Sequence, residues 1–91
     1  MKLRNVAALT LFEKPVAIVE VARAEVSSQE QESQLLQRFA QLPQFLGREV
    51  YLGVPHEGPL EANFSAPPNY AKQLKMIGWI RLPWQPLELP F

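Results

Sequence analysis

The chain has no cysteine, no aspartate and a single histidine. Without cysteine there are no disulfides, no thiolate catalysis, no iron–sulfur clusters and no cysteine-held zinc. The one imidazole, His56, sits in the turn-like stretch "PHEGP" beside Glu57, which supplies too few ligands for a metal and no second histidine for a relay. Glycine is scarce as well: four scattered residues form no GxGxxG, GxxxxGK[ST] or GxSxG signature, so no phosphate cradle or nucleophile elbow is expected. No apolar run approaches the ~18 residues of a membrane span. The opening "MKLRNVAALTLFEKP" regains charge at Glu13 and Lys14 with no small-residue cleavage site after it, so it reads as part of the fold, with cytoplasm as the default location. Net charge is also absent, since nine Lys and Arg balance nine Glu, and a nucleic-acid partner is not expected. These absences leave no assigned catalytic residue, metal or cofactor.

What remains is a chain of 91 residues with 47% hydrophobic content, enough for one core. The segments "VAALTLF" (6–12) and "VAIVEVARAEV" (16–26) carry the β-branched and aromatic content of strands. Ser27 or Ser28 caps a helix, because Ser27 with Glu30 and Ser28 with Gln31 both have capping-box spacing. Leu35, Leu36, Phe39, Leu42 and Leu46 then recur on one helical face until Pro43 and Gly47 close it. "EVYLGV" (49–54) and "LEANFS" (60–65) alternate around a five-residue turn, which predicts a hairpin. "YAKQLKMI" suits two helical turns ending at Gly78, and "WIRLP" alternates again.

From residue 16 onward the order is strand, helix, strand, strand, helix, strand. That order predicts an α+β fold of the ferredoxin-like βαββαβ type, a single domain with an antiparallel sheet and two helices on one face. Residues 1–14 would be an added N-terminal strand, 16–83 the core and 84–91 an extended C-terminal arm.

This arrangement places Val50, Leu52, Val54, Leu60, Ala62, Phe64, Ile80 and Leu82 inward. The opposite face carries Val16, Ile18, Glu20, Tyr51, Asn63, Trp79 and Arg81. Glu20 stands out as one carboxylate among apolar neighbours, and Arg81 is expected beside it, so Glu20, Tyr51, Asn63, Trp79 and Arg81 form a candidate small-molecule cleft. A strand apolar on both sides needs cover on both sides, so Val16 and Ile18 call for the arm, the N-terminal strand or a second subunit. With Trp84, Leu87, Leu89 and Phe91 they form a candidate homodimer interface.

Two weaker features complete the reading. Lys72, Lys75 and Arg81 interleave with Tyr70, Trp79 and Trp84 in a stretch without acids, a pattern that can stack bases. Gln34, Gln37, Gln41 and Gln44 line the polar side of the first helix, as a solvated face does. The function these features predict is a small non-catalytic binding or accessory domain acting as a homodimer, with a small-molecule site or minimal enzyme around Glu20 as the alternative.

Overall fold

A computed structural model describes all residues from Met1 to Phe91. The chain begins with a hairpin: β1 (Lys2–Leu11) pairs antiparallel with β2 (Lys14–Glu20), with Leu11 opposite Lys14. Its two-residue turn, Phe12 and Glu13, holds both residues at positive φ (49° and 66°). That geometry suits the twist of a hairpin but normally selects Asn or Gly, so a phenylalanine there is strained. The Phe12 ring packs 5.4 Å from that of Tyr70, a contact that offsets the strain and ties the turn to the second helix.

After β2 a 3-10 turn (Arg23–Val26) leads into α1 (Gln29–Ala40). Ser28 caps the helix by accepting from the Gln31 amide at 3.1 Å, while the Gln31 side chain reaches back to the backbone and hydroxyl of Ser27. The predicted capping box is thus spread over two serines. The helix ends before Pro43, a 3-10 turn (Pro43–Phe45) follows, and Leu46 faces solvent instead of the core. The chain then enters β3 (Glu49–Val54), β4 (Asn63–Ser65), α2 (Pro68–Ile77), a 3-10 turn (Trp79–Arg81) and β5 (Trp84–Leu89).

The five strands form one mixed sheet in the order β4-β3-β2-β1-β5, in which only β2 and β3 run parallel. One face packs Val6, Ala17, Val19, Leu52 and Val54 against Phe39 of α1; the other packs Ala7, Val16, Ile18 and Phe64 against Tyr70 and Leu74 of α2. The α+β class and the two helices stand as expected. The all-antiparallel sheet with both helices on one face does not. Val16, Ala17, Ile18 and Val19 are all fully buried, and a strand apolar on both sides takes a layer on each. α2 is the cover over Val16 and Ile18. The N-terminal strand is no addition either: it lies beside β2, in the place a βαββαβ plan would give another strand.

Three local expectations change for physical reasons. β2 stops at Glu20 instead of running to residue 26, although the Val21 amide still reaches the Gly53 carbonyl at 2.9 Å. β4 is only three residues long, and Phe64 lies opposite Gly53 on the α2 side, so its phase is the reverse of that predicted and Leu60 is half exposed. The last strand is not 79–82. Gly78 (φ 92°) ends α2, Trp79–Arg81 coil into a 3-10 turn, and the supposed arm itself becomes β5, the sheet edge beside β1.

Pro86 in β5 has no N–H to give, which confines it to an edge strand with its nitrogen outward. The Trp84 amide, two residues earlier, already donates to the Leu82 carbonyl at 2.8 Å. The open edge of β5 is therefore poor in free donors, a known protection against strand addition.

Candidate functional site

Charge is concentrated at one end of the sheet. Arg4 shares the α1 side of β1 with Val6 and is the only buried charged residue, 7% exposed. Its guanidinium grips both oxygens of Glu25 (Nη1 to Oε2 3.0 Å, with Nη2 on Oε1), donates from Nε to the Phe91 carbonyl at 2.9 Å, and meets the Glu20 carbonyl at 3.4 Å. Glu25 also accepts the Ala22 amide at 2.7 Å, so it caps its own turn while holding Arg4. The Arg4 hydrogen bonds hold the Glu25 carboxyl well below the usual carboxylate range, at about 2, against the opposing effect of burial; the Ala22 amide and the charges of Arg4 and Lys2 act in the same direction as the hydrogen bonds. Behind this pair the Arg4 guanidinium lies 5.3 Å from the Phe39 ring centre, Phe39 lies 4.8 Å from Phe91, and Arg38 covers Phe91 at 3.9 Å. The result is a clasp between β1, the 3-10 turn, α1 and the end of β5.

A cleft of about 500 Å³ opens next to the clasp. Lys2, Arg4 and Arg23 line it together with Glu20, Glu25 and Glu57, so the six charges sum to zero. Arg4 and Glu25 satisfy each other, whereas the Glu20 carboxylate has neither a hydrogen bond nor an ion pair. Arg23 donates from Nη2 to the carbonyls of Glu61 and Pro55 at 3.3 and 3.4 Å. Its Nε is buried with no hydrogen-bond partner, the Glu57 carboxylate standing 3.8 Å away.

The turn after β3 separates this cleft from an apolar corner. Pro55 and Glu57 face the cleft; His56 faces a second cavity of about 520 Å³ walled by Ile77, Gly78, Trp79, Ile80 and Arg81. Trp79 packs on Gly53, where an added Cβ would come within 3.1 Å of the indole. Its ring centre is 4.6 Å from that of Trp84 and 5.6 Å from that of Phe64, and the Trp84 Nε1 donates to the Trp79 carbonyl at 2.7 Å. Beyond this packed base, Ile80 is 94% exposed and Met76 71% exposed. Arg81 walls the same cavity, Lys72 and Lys75 lie on α2, and none of the three makes an ion pair.

Under α2, Glu49 accepts from the hydroxyls of Tyr51 (2.9 Å) and Tyr70 (3.3 Å), whose rings meet edge to face at 5.6 Å. Burial first, and the Glu49 contact second, push the Tyr51 hydroxyl up from 10 to about 12; burial and the Glu49 charge raise Tyr70 as well. A group whose pKa is raised on folding contributes stability that is intact below its unfolded value and lost as pH climbs through the folded one. Stability should therefore fall between about pH 10 and 12, and the ultraviolet absorbance of ionised phenol should appear together with unfolding. Two independent titrations near pH 10 in the folded protein would contradict this geometry.

The sequence-derived cleft is dispersed. Glu20 lines the ionic cleft and Arg81 the apolar corner, with no cavity common to both. Tyr51 is bound to Glu49, and Asn63 is exposed on β4 opposite Val54. Of the expected interface, Val16, Ile18 and Leu89 are fully buried within this chain and Trp84, Leu87 and Phe91 are half buried in it. Tyr70 is buried, and the half-buried Trp79 and Trp84 rings pack against each other at a tilt, with centres 4.6 Å apart. Arg4, Arg23 and Glu25 were missed. The one signal for Arg4 was its position two residues before Val6, in phase with a core residue.

Comparison of the chain with protein-family models, with curated proteins and with solved structures found no match.

Proposed function

We propose that the protein is a non-catalytic binding module that holds an acidic, apolar segment of a partner protein on the corner formed by α2 and the Trp79–Arg81 turn. The observation that carries this reading is Ile80, a β-branched residue almost fully exposed beside a cavity walled by Trp79 and Ile77. A large apolar side chain so displayed, with a second at Met76 four residues earlier, is the pattern of a contact site more than of a free surface. Charge supports the sign of the partner: residues 62–87 contain no acid, and Lys72 and Lys75 of α2 and Arg81 of the turn are unpaired.

Electrostatics also bear on the expected homodimer. The apolar sheet face that called for a second copy is covered by α2, whereas Trp84, Leu87 and Phe91 of the C-terminal segment are half buried. A two-fold pairing through the corner would bring its cationic patch against the same patch of the second copy, since such an interface uses one patch twice. An acidic partner meets no such opposition.

Both tryptophans lie at this corner, so intrinsic emission reads it directly. A synthetic amphipathic Glu/Leu peptide is expected to change the emission saturably at low salt and less so at high salt, and a Lys/Leu peptide of the same length is not. Ile80→Asp should abolish the response while changing unfolding free energy by no more than about 0.5 kcal/mol, as exposed substitutions do. Equal binding of the two peptides, or an Ile80→Asp variant that binds as before, would overturn the proposal.

A further inference from the structure

We infer that the ionic cleft is a separate site for a small zwitterion, a molecule that carries both a primary ammonium and a carboxylate. The inference is independent of the docking corner; the two sites share only the turn that starts at Pro55.

This cleft is lined by an unpaired carboxylate and by a guanidinium whose Nε has only a long ion pair with Glu57 and no hydrogen bond. Glu20 ends β2 with its carboxylate unpaired, and Arg23, three residues on, holds a buried Nε without a hydrogen-bond partner. A buried donor left unmade costs on the order of 1–3 kcal/mol, and a fold retains such a defect most readily where a ligand repairs it. The Arg23 guanidinium is positioned by main-chain oxygens of Pro55 and Glu61, so its open edge is oriented in advance. A carboxylate is the group whose geometry fits a guanidinium edge. Glu57, the nearest carboxylate, falls short of hydrogen-bonding distance and is 72% exposed, free to move aside.

The charge balance selects among ligands. A plain anion such as phosphate would meet Arg23 but also the unpaired Glu20 and the neighbouring Glu57, in a cleft whose fixed charges sum to zero. A zwitterion answers both signs at once: its ammonium pairs with Glu20 and its carboxylate with Arg23. Leu3 and Pro55 supply apolar wall for the carbon chain between them, and the volume of about 500 Å³ lies within the range of small-molecule sites. The neighbouring Arg4–Glu25 clasp fixes the cleft wall, because Arg4 also holds the Glu20 carbonyl.

The test is a titration of the isotope-labelled full chain, followed by amide chemical shifts, with glycine, β-alanine, γ-aminobutyrate and ε-aminocaproate as a series of growing charge separation. Acetate, ethylammonium and inorganic phosphate serve as single-charge controls. At least one zwitterion should shift the amides of Glu20, Ala22 and Arg23 saturably, with a dissociation constant at least about tenfold below that of every control, since it gains a second charged contact. Glu20→Gln and Arg23→Gln should each weaken it about tenfold or more, and both should leave amide shifts away from the cleft unchanged. Should Arg23→Gln disturb the fold, Arg23→Lys keeps the charge, removes the planar fork and tests the same contact. Binding of phosphate or acetate as tight as that of the best zwitterion, full affinity in Glu20→Gln, or no saturable shift with any of the series would overturn the inference.

Discussion

Replacing Glu25 with alanine is expected to remove about 3 kcal/mol from the unfolding free energy, the lower end of what breaking one side of a buried ion pair costs. The asymmetry of the pair sets the direction. Glu25 is 26% exposed and can be partly solvated on its own, whereas Arg4 is almost fully enclosed and would be left with only the main-chain oxygens of Phe91 and Glu20 as partners. For a chain of this size the melting temperature should fall by roughly 10–20 °C. Glu25→Gln should be milder, since its amide oxygen can still accept one guanidinium bond. The double variant Arg4→Met/Glu25→Leu should recover most of the loss, because an apolar pair of similar volume carries no desolvation cost.

Acid provides the same measurement without mutation. The Glu25 pKa falls from 4.5 to about 2 on folding. A carboxyl depressed in this way contributes stability that is complete above about 4.5 and lost as pH drops through 2. Solvent at the partly exposed carboxyl screens the pair, so the acid-sensitive part of the stability is expected to be smaller than the full effect of the substitution. Urea midpoints between pH 6 and pH 2 should decline along that limb in the native sequence and much less in Glu25→Gln. Parallel curves for the two would mean that other carboxyls dominate the acid limb.

How much of this was legible in the sequence follows from the range of the interactions. The serine cap and the face of Leu35, Leu36 and Phe39 on α1 depend on neighbours three or four residues away and are legible, whereas the extension of that face to Leu42 and Leu46 runs past the end of the helix. The double-sided demand of "VAIV" was read as well, down to the need for a cover over Val16 and Ile18. What supplied the cover was not, because α2 lies some fifty residues downstream and its phase gives no indication of which face it will take. The 78–83 segment misled for a related reason: Ile80 and Leu82 alternate as a strand does, but the sheet edge beside β1 could hold either that segment or the next. Residues 84–89 carry Leu87 and Leu89 onto the face with Val6, and they win the place. The clasp was out of reach altogether, since Arg4 is made a core residue by Glu25, Phe39 and Phe91, separated from it by as many as 87 residues.

Gly53→Val should have the second largest effect and the clearest consequence at the corner. Gly53 lies near the end of β3 between Glu20 of β2 and Phe64 of β4, without the positive φ that would explain a glycine by backbone conformation. Its absent side chain is explained by what lies on it: the first added carbon would come within 3.1 Å of Trp79 and within 3.1 Å of Ile18 Cγ2. Ile18 is fully buried and cannot retreat, so the indole must move. Overpacking of this kind costs about 1–3 kcal/mol. It should also shift tryptophan emission to the red as Trp79 lifts toward water, and the corner should lose the Glu/Leu peptide even though no surface residue has changed. Trp79→Leu on the Gly53→Val background separates packing from simple destabilisation. If the clash is with the indole, the smaller side chain removes much of the strain, and the double variant is more stable than the sum of the single effects by roughly 0.5 kcal/mol or more. Strict additivity would mean that valine meets Ile18 alone, and Trp79 would then have no part in holding the corner against the sheet.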